Sequence, residues 1–145
     1  MNIIYDTNVI VDILAYREPF YADSAASLAI ADRKNVFSFI TSNTVTDIAY
    51  ILARYKRSDE QVKQAITQLF LLVSILDVNS SDCYEALQSK IPDFEDALLS
   101  CCAARHGMDY IVTRDITDFE NSTIKPIKPN ELQTLIKNSD FGLLW

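Results

Sequence analysis

Short apolar runs alternate with helical segments of roughly 10 to 15 residues along this 145-residue chain. That alternation predicts an α/β fold, a parallel sheet of about five strands joined by right-handed crossovers. Two further observations support it. The chain is 49% apolar and 23% charged, enough for one core and too short for a second domain, so residues 1–145 are read as a single unit. Aspartates also stand directly after the first apolar run and just after the fourth, at the carboxyl edge where such sheets bind ligands.

The elements follow in order. Asn2 to Tyr5 reads as a buried strand, and Val9, Ile10, Ile13 and Leu14 give Thr7 to Ala15 helical spacing. Pro19 is placed at the first turn of a second helix that runs through Ala22, Ala25, Ala26, Ala29 and Ile30 to Arg33 and Lys34. Val36 to Ile40 is the second strand. Thr41, Ser42 and Asn43 are candidate caps for a helix through Val45, Ile48 and Leu52, closed by Arg54, Lys56 and Arg57. Ser58 and Gln61 form a capping-box pattern for the next helix, which continues to Phe70. Ser74 to Val78 is read as strand three. A short helix capped by Ser80 or Ser81 reaches Lys90, Pro92 breaks it, and Phe94 to Arg105 forms a helix ended by Gly107. Asp109 to Val112 is strand four, Ile124 to Lys128 strand five, and Pro129 or Asn130 opens the last helix. Residues 138–145 are expected to be a loose tail.

Composition removes several classes of function. Glycine occurs only at Gly107 and Gly142, so glycine-rich phosphate cradles are absent. The single histidine, His106, excludes an imidazole pair and a His-rich zinc site within one chain, and is read as a partner of a helix C-terminus. Cys83, Cys101 and Cys102 form no C-x-x-C; reduced thiols and a cytoplasmic setting are expected, with Cys101 and Cys102 in the core. No segment offers the roughly 20 apolar residues that span a bilayer, and the N-terminus lacks the basic region of a signal peptide. Net charge of −7 argues against coating nucleic acid through phosphate neutralisation, though an acidic metal site recovers positive charge on binding cations.

Carboxylate is what remains plentiful, and it is mostly Asp, the poorer helix former of the two acids. Asp6 and Asp115 follow the first and fourth strands, which flank the switch point of common doubly wound sheets. Asp47 lies in the helix after strand two, and Asp96 in the first turn of the helix after Pro92. Oxygen ligands from different elements suit Mg²⁺, which keeps several waters. A site of this kind activates water and stabilises the leaving oxygen of a phosphodiester without His, Cys or Lys.

The same residues carry a family resemblance. Asp6-Thr7-Asn8-Val9-Ile10, Asn43-Thr44-Val45-Thr46-Asp47, Asp93-Phe94-Glu95-Asp96-Ala97 and Tyr110-Ile111-Val112-Thr113-Arg114-Asp115-Ile116-Thr117-Asp118-Phe119 occur in that order across nearly the whole chain. In this it resembles the PIN-domain ribonucleases, and among them the VapC-like toxins of type II toxin–antitoxin systems. The resemblance implies a three-layer α/β/α fold and a Mg²⁺- or Mn²⁺-dependent endoribonuclease. It also implies a cognate antitoxin and a homodimer. Carried over by position, Asp6, Asp47, Asp96 and Asp115 match the acidic quartet, with Asp118 as an additional or substitute ligand. The family usually has Glu where this chain has Asp47, one methylene shorter.

Each residue also has a plainer structural reading. Asp6 is a possible helix cap, Asp47 a surface residue, Asp96 a first-turn charge, and Asp115 and Asp118 turn formers. Asp12 is read as a surface or hydrogen-bonding residue, Asp93 and Glu95 as helix-start charges. Thr7, Asn8, Thr44 and Thr113 are short polar residues that either orient carboxylates and water or cap the backbone. Arg114 adjoins the proposed site and is a candidate RNA phosphate contact; most other cations are read as solvated. A guanidinium of an antitoxin would suit the acidic pocket, with an apolar groove expected between the Pro19–Lys34 and Thr44–Lys56 helices. Among competing functions, a phosphoacceptor receiver domain needs an acidic pair after strand one and a Lys after strand five. A haloacid-dehalogenase phosphatase needs an Asp where Asn8 stands. An RNA-processing nuclease without an antitoxin and a catalytically weak binding module are the alternatives within the same fold.

Overall fold

The computed structural model describes residues 1–55 and 57–139. Its elements in chain order are β1 (Asn2–Tyr5), α1 (Thr7–Leu14), α2 (Tyr21–Arg33), β2 (Phe37–Thr41), α3 (Ser42–Arg54), α4 (Asp59–Leu69) and β3 (Ser74–Leu76). They continue with α5 (Ser80–Gln88), α6 (Phe94–Arg105), β4 (Tyr110–Val112), a 3-10 turn at Ile116–Phe119, β5 (Lys125–Ile127) and α7 (Pro129–Asn138). Of the residues expected to close the third helix, Lys56 lies outside the described residues, as does the tail from 140 onward.

All five strands run parallel, in the order β3-β2-β1-β4-β5. The order reverses at β1, whose neighbours are β2 on one side and β4 on the other, so the switch point falls where the sequence places it. Parallel strands are buried on both faces, and the period of two sorts β1 between two cores. Ile3 and Tyr5 join Val112 and Ile127 in the larger core, packed against α1, α2, α3, α4 and α7. Ile4 and Ile111 point the other way, onto Leu99 and Ala103 of α6 and Phe119. Ala86, Ile91, Ala97 and Leu98 extend that second layer between α5 and α6. The result is the expected three-layer α/β/α arrangement.

Local chemistry sets the boundaries. Of the three candidate caps, Thr41 serves α3, its hydroxyl accepting from the Thr44 amide at 3.0 Å. Ser58 and Gln61 form the expected capping box on α4. Gly107 takes φ of +70° directly after the C-cap of α6, a left-handed position that favours glycine.

β2 is shifted by one residue from the expected Val36–Ile40, α5 ends at Gln88 short of Lys90, and three further boundaries differ from expectation. Pro19 lies in the turn before α2, whose N-cap is Phe20. β3 stops at Leu76, where its pairing with Thr41 ends, leaving Asp77 and Val78 outside the sheet. Asn79, not Ser80 or Ser81, caps α5 in a reciprocal box with Asp82. Asp82 is fully buried and also receives Arg105 Nε at 2.9 Å, tying α5 to α6.

The expected groove between α2 and α3 is also displaced. α2 packs on α1 and α7, and α3 on α1 and α4. An apolar groove forms instead where α1, α2 and α4 meet, lined by Leu14, Tyr16, Tyr21, Leu28 and Leu69. No helix among the described residues is long and apolar enough to cross a membrane.

Candidate active site

The register of two strands builds the centre of the site. Tyr5 of β1 lies opposite Val112 of β4, so the next residues, Asp6 and Thr113, leave the sheet side by side. The ladder extends one bond beyond the strands, from the Asp6 amide to the Val112 carbonyl at 2.9 Å. Thr113, fully buried, donates its hydroxyl to Asp6 Oδ2 at 3.0 Å and accepts the Asp115 amide at 3.0 Å. Asp6 occupies the N-cap position of α1, yet its side chain makes no capping hydrogen bond. The carboxylate is held by Thr113, which weakens the capping interpretation and gives Thr113 an orienting role.

A cleft of about 390 Å³ opens at this edge, lined by Asp6, Thr7, Asn8, Thr41, Asn43, Thr44, Asp47, Tyr50, Glu95 and Asp96 among others. β1 and the start of α1 supply Asp6, Thr7 and Asn8. α3 supplies Asp47, and the first turn of α6 supplies Glu95 and Asp96. Thr7 and Thr44 share a hydroxyl–hydroxyl hydrogen bond of 3.1 Å across the cleft floor, which links α1 to α3. Asp93 is the N-cap of α6, accepting the Asp96 amide at 3.0 Å. Asp115 and Asp118 are exposed and do not line the cleft, although their charges act on Asp96.

Electrostatics divides these carboxylates into two groups. Burial raises the Asp6 carboxyl to about 6, with the Asp115 charge adding to the rise and the Thr113 hydrogen bond opposing it. Asp96 is raised to about 7, by burial first and then by the charges of Asp6, Asp93, Asp118 and Asp115. On the other side, burial raises Asp47, and the Asp47 charge is the main cause of a rise at Glu95. Asp6, Asp96, Asp115 and Asp118 thus act on one another, while Asp47 is coupled to Glu95. Among the described residues, no three His, Cys, Asp or Glu side chains are gathered tightly enough to hold a metal ion. The donor set fits a hard divalent cation by its chemistry: oxygen ligands only, several of them held against their own charge repulsion.

Two residues fall elsewhere than expected. Asp12 is no surface residue but is fully buried in α1, with Arg17 Nε at 2.9 Å and Arg114 Nε at 2.7 Å. Arg114, the candidate phosphate contact, is engaged by that pair and lies over the Phe20 ring at 3.8 Å. It braces the turn between Thr113 and Asp115 and points its guanidinium inward. Two cleft residues were not singled out from sequence. From sequence Glu95 reads only as a helix-start charge, although it adjoins Asp96. Tyr50 sits three residues after Asp47, a spacing that places both on one helix face.

The fold and the carboxylate edge together define the class. The PIN domain family model matches residues 2–117, and the chain belongs to that family. Its three-dimensional neighbours include chains of VapBC complexes and a VapC toxin. One is a chain from the Rickettsia felis VapBC2 complex with a DNA fragment of its promoter, at a TM-score of 0.68 and 15% identity, covering 88% of this chain and 98% of that one. Another is Mycobacterium tuberculosis VapC20, described as a sarcin–ricin loop cleaving toxin, at a TM-score of 0.66 and 14% identity, covering 86% and 99%. A third is a chain of VapBC-1 from nontypeable Haemophilus influenzae, at 0.64 and 19%, covering 89% and 98%. No curated protein sequence matches the chain significantly.

The raised carboxyls make a stability prediction. A folded-state value above the unfolded one gives stability that is present at low pH and lost as pH rises through the folded value. For Asp6 and Asp96 that window runs from about 4 to 7. In EDTA, the unfolding midpoint is therefore expected to fall between pH 5 and pH 8. Asp6→Asn and Asp96→Asn should each flatten the slope and gain ~1–2 kcal/mol at pH 8, less than the full shift would give because Asp96 is half-exposed to solvent screening. A slope unchanged in both variants would show that these carboxyls are not raised.

Proposed function

We propose that this chain is a Mg²⁺- or Mn²⁺-dependent endoribonuclease and the toxin of a toxin–antitoxin pair. One observation carries the reading: Asp6, buried at the switch point and fixed by Thr113, shares its field with Asp96 and Asp115 at the mouth of a cleft. With Asp6 raised to about 6 and Asp96 to about 7, such a cluster is incompletely ionised at neutral pH, and a cation would complete its ionisation. Membership of the PIN family and the VapC-type neighbours support the same reading.

Asp6, Asp96 and Asp115 would hold the cation partly through waters, since no three carboxylates among the described residues close tightly on one point, with Asp118 beside them and Asp47 reaching from α3. A bound divalent ion supplies charge neutralisation for a phosphodiester and a more acidic water. The chain's own residues do the rest. Thr113 fixes one oxygen of Asp6, which lines the cleft. Glu95, whose affinity for a proton is raised chiefly by the Asp47 charge, stands on the opposite wall where it can accept a proton from water. Thr7 and Thr44 keep the two walls at a fixed separation. Asn8 lines the same cleft and offers an amide to substrate oxygens.

The acidic cleft also suits one guanidinium from an antitoxin, which would pair with the carboxylates and occupy the phosphate position. The apolar groove at α1, α2 and α4 suits the remainder of such a segment. Self-association into the homodimer that the VapC resemblance implies would compete for the same kind of surface.

Purified protein is expected to cleave RNA at unpaired nucleotides with Mg²⁺ or Mn²⁺ and to stop in EDTA. Asp96→Asn should lower the rate ~100-fold or more while keeping the fold. Undiminished cleavage in excess chelator would exclude the metal-dependent mechanism.

Asp47→Glu, which restores the longer side chain usual in the family, should retain cleavage and tighten Mg²⁺ binding, and Asp47→Ala should weaken both. A calorimetric titration in which Glu abolishes binding and Ala does not would remove Asp47 from the site.

Co-expression with the product of the adjacent gene should give a stable complex with suppressed ribonuclease activity. Absence of any such complex, together with unaffected growth when the chain is expressed alone, would sink the toxin assignment and leave an RNA-processing nuclease.

A further inference from the structure

The cleft has a second half that phosphodiester chemistry does not use. Beyond the carboxylates its wall is apolar, formed by Ile51, Val78 and Leu98, and Tyr50 stands at its rim. Tyr50 is 64% exposed, a large aromatic surface left in water beside a polar site. Its hydroxyl accepts from Arg54 Nη1 at 3.1 Å, and the guanidinium carbon lies 5.8 Å from the ring centroid. That contact places the guanidinium over the ring, and the side chain as a whole is still mostly exposed to solvent.

Arg54 differs from several other arginines of the chain. Arg17 and Arg114 share buried Asp12, and Arg105 is tied to Asp82. Arg54 forms no ion pair among the described residues, so its charge is available to a phosphate. Asp47, Tyr50 and Arg54 lie three and four residues apart on α3, so they share one face and span about 10 Å of its axis. A strand lying along α3 meets a carboxylate, an aromatic ring and a cation in turn.

We propose that Tyr50, oriented by Arg54, is the stacking platform for the base of the nucleotide next to the scissile phosphate. Arg54 then contacts the following phosphate. This rests on the ribonuclease reading above and adds a substrate requirement to it: the flanking nucleotide must be unpaired and unstacked from its neighbours. Stacking accepts every base because every base has a π face, so the platform selects single-stranded structure over base identity. It also explains how a chain of net charge −7 holds RNA, through one aromatic face and one local cation in place of a basic surface.

The test uses the full chain carrying Asp96→Asn, so that RNA is bound without being cut, in Mg²⁺. The probe is a short single-stranded RNA with one 2-aminopurine placed at successive positions, and the same RNA with an abasic nucleotide at the position that responds. Fluorescence quenching at one position is expected. Tyr50→Ala should abolish the quenching and weaken binding about tenfold, whereas Tyr50→Phe keeps the quenching but binds less tightly, because it lacks the hydroxyl that Arg54 holds. The abasic RNA should bind the Tyr50 protein about tenfold more weakly and lose nothing further with Tyr50→Ala. Arg54→Gln should lower the salt dependence of binding. RNA binding and quenching that survive Tyr50→Ala, or losses that multiply between protein and RNA changes, would overturn the platform while leaving the ribonuclease reading intact. A Tyr50→Ala variant that binds RNA normally but loses the antitoxin would assign the surface to a protein partner and overturn it too. If the Tyr50 protein binds no RNA and wild type cleaves none, both readings fall together.

Discussion

The hydrogen bond from Thr113 to Asp6 is the contact on which the site depends. It joins the first residues beyond two adjacent strands, and it forms only because β1 and β4 pair in the register that sets Tyr5 opposite Val112. A slip of one residue would turn Asp6 toward the other face of the sheet. The hydrophobic sorting of Ile3, Ile4 and Tyr5 between two cores prevents that slip. Core packing therefore fixes the position of a charged group, and the cost of burying that group is carried by the fold as a raised carboxyl affinity for protons.

Much of this was legible in the sequence. Strand–helix alternation gave the layers, and the aspartates after the first and fourth runs gave the edge. Asp6, Asp47 and Asp96 line one cleft, and Asp115 and Asp118 stand beside it. What remained hidden has physical causes. Asn79 was missed as a cap because Ser80 and Ser81 are equally good caps locally, and the choice was made by Asp82, whose carboxylate closes the box while pairing with Arg105 from a distant helix. β3 was read too long because its apolar pattern continues to Val78, whereas strand length is limited by the end of its partner β2.

The division of the carboxylates between two walls could not be read from spacing. Sequence order places acids near strand ends but not relative to one another across a cleft. In the structure, Asp96 feels Asp6 and Glu95 feels Asp47, although Glu95 and Asp96 are neighbours in the chain. Successive helical residues point about 100° apart, so the first turn of α6 addresses both walls with adjacent side chains. Glu95 therefore belongs to the site by orientation, and a reading of motifs alone assigns it to the helix terminus.

Asp12 shows what a single buried acid does for the surrounding backbone. Arg17 reaches it from the segment after α1, and Arg114 from the turn that carries Thr113 and Asp115. One anion thus serves two cations that belong to parts of the chain about a hundred residues apart. Removing either arginine leaves the carboxylate paired, whereas removing the carboxylate leaves two partly buried guanidinium groups without their anion. Tolerance to substitution is consequently unequal within the same cluster: drift is permitted at the spokes and forbidden at the hub.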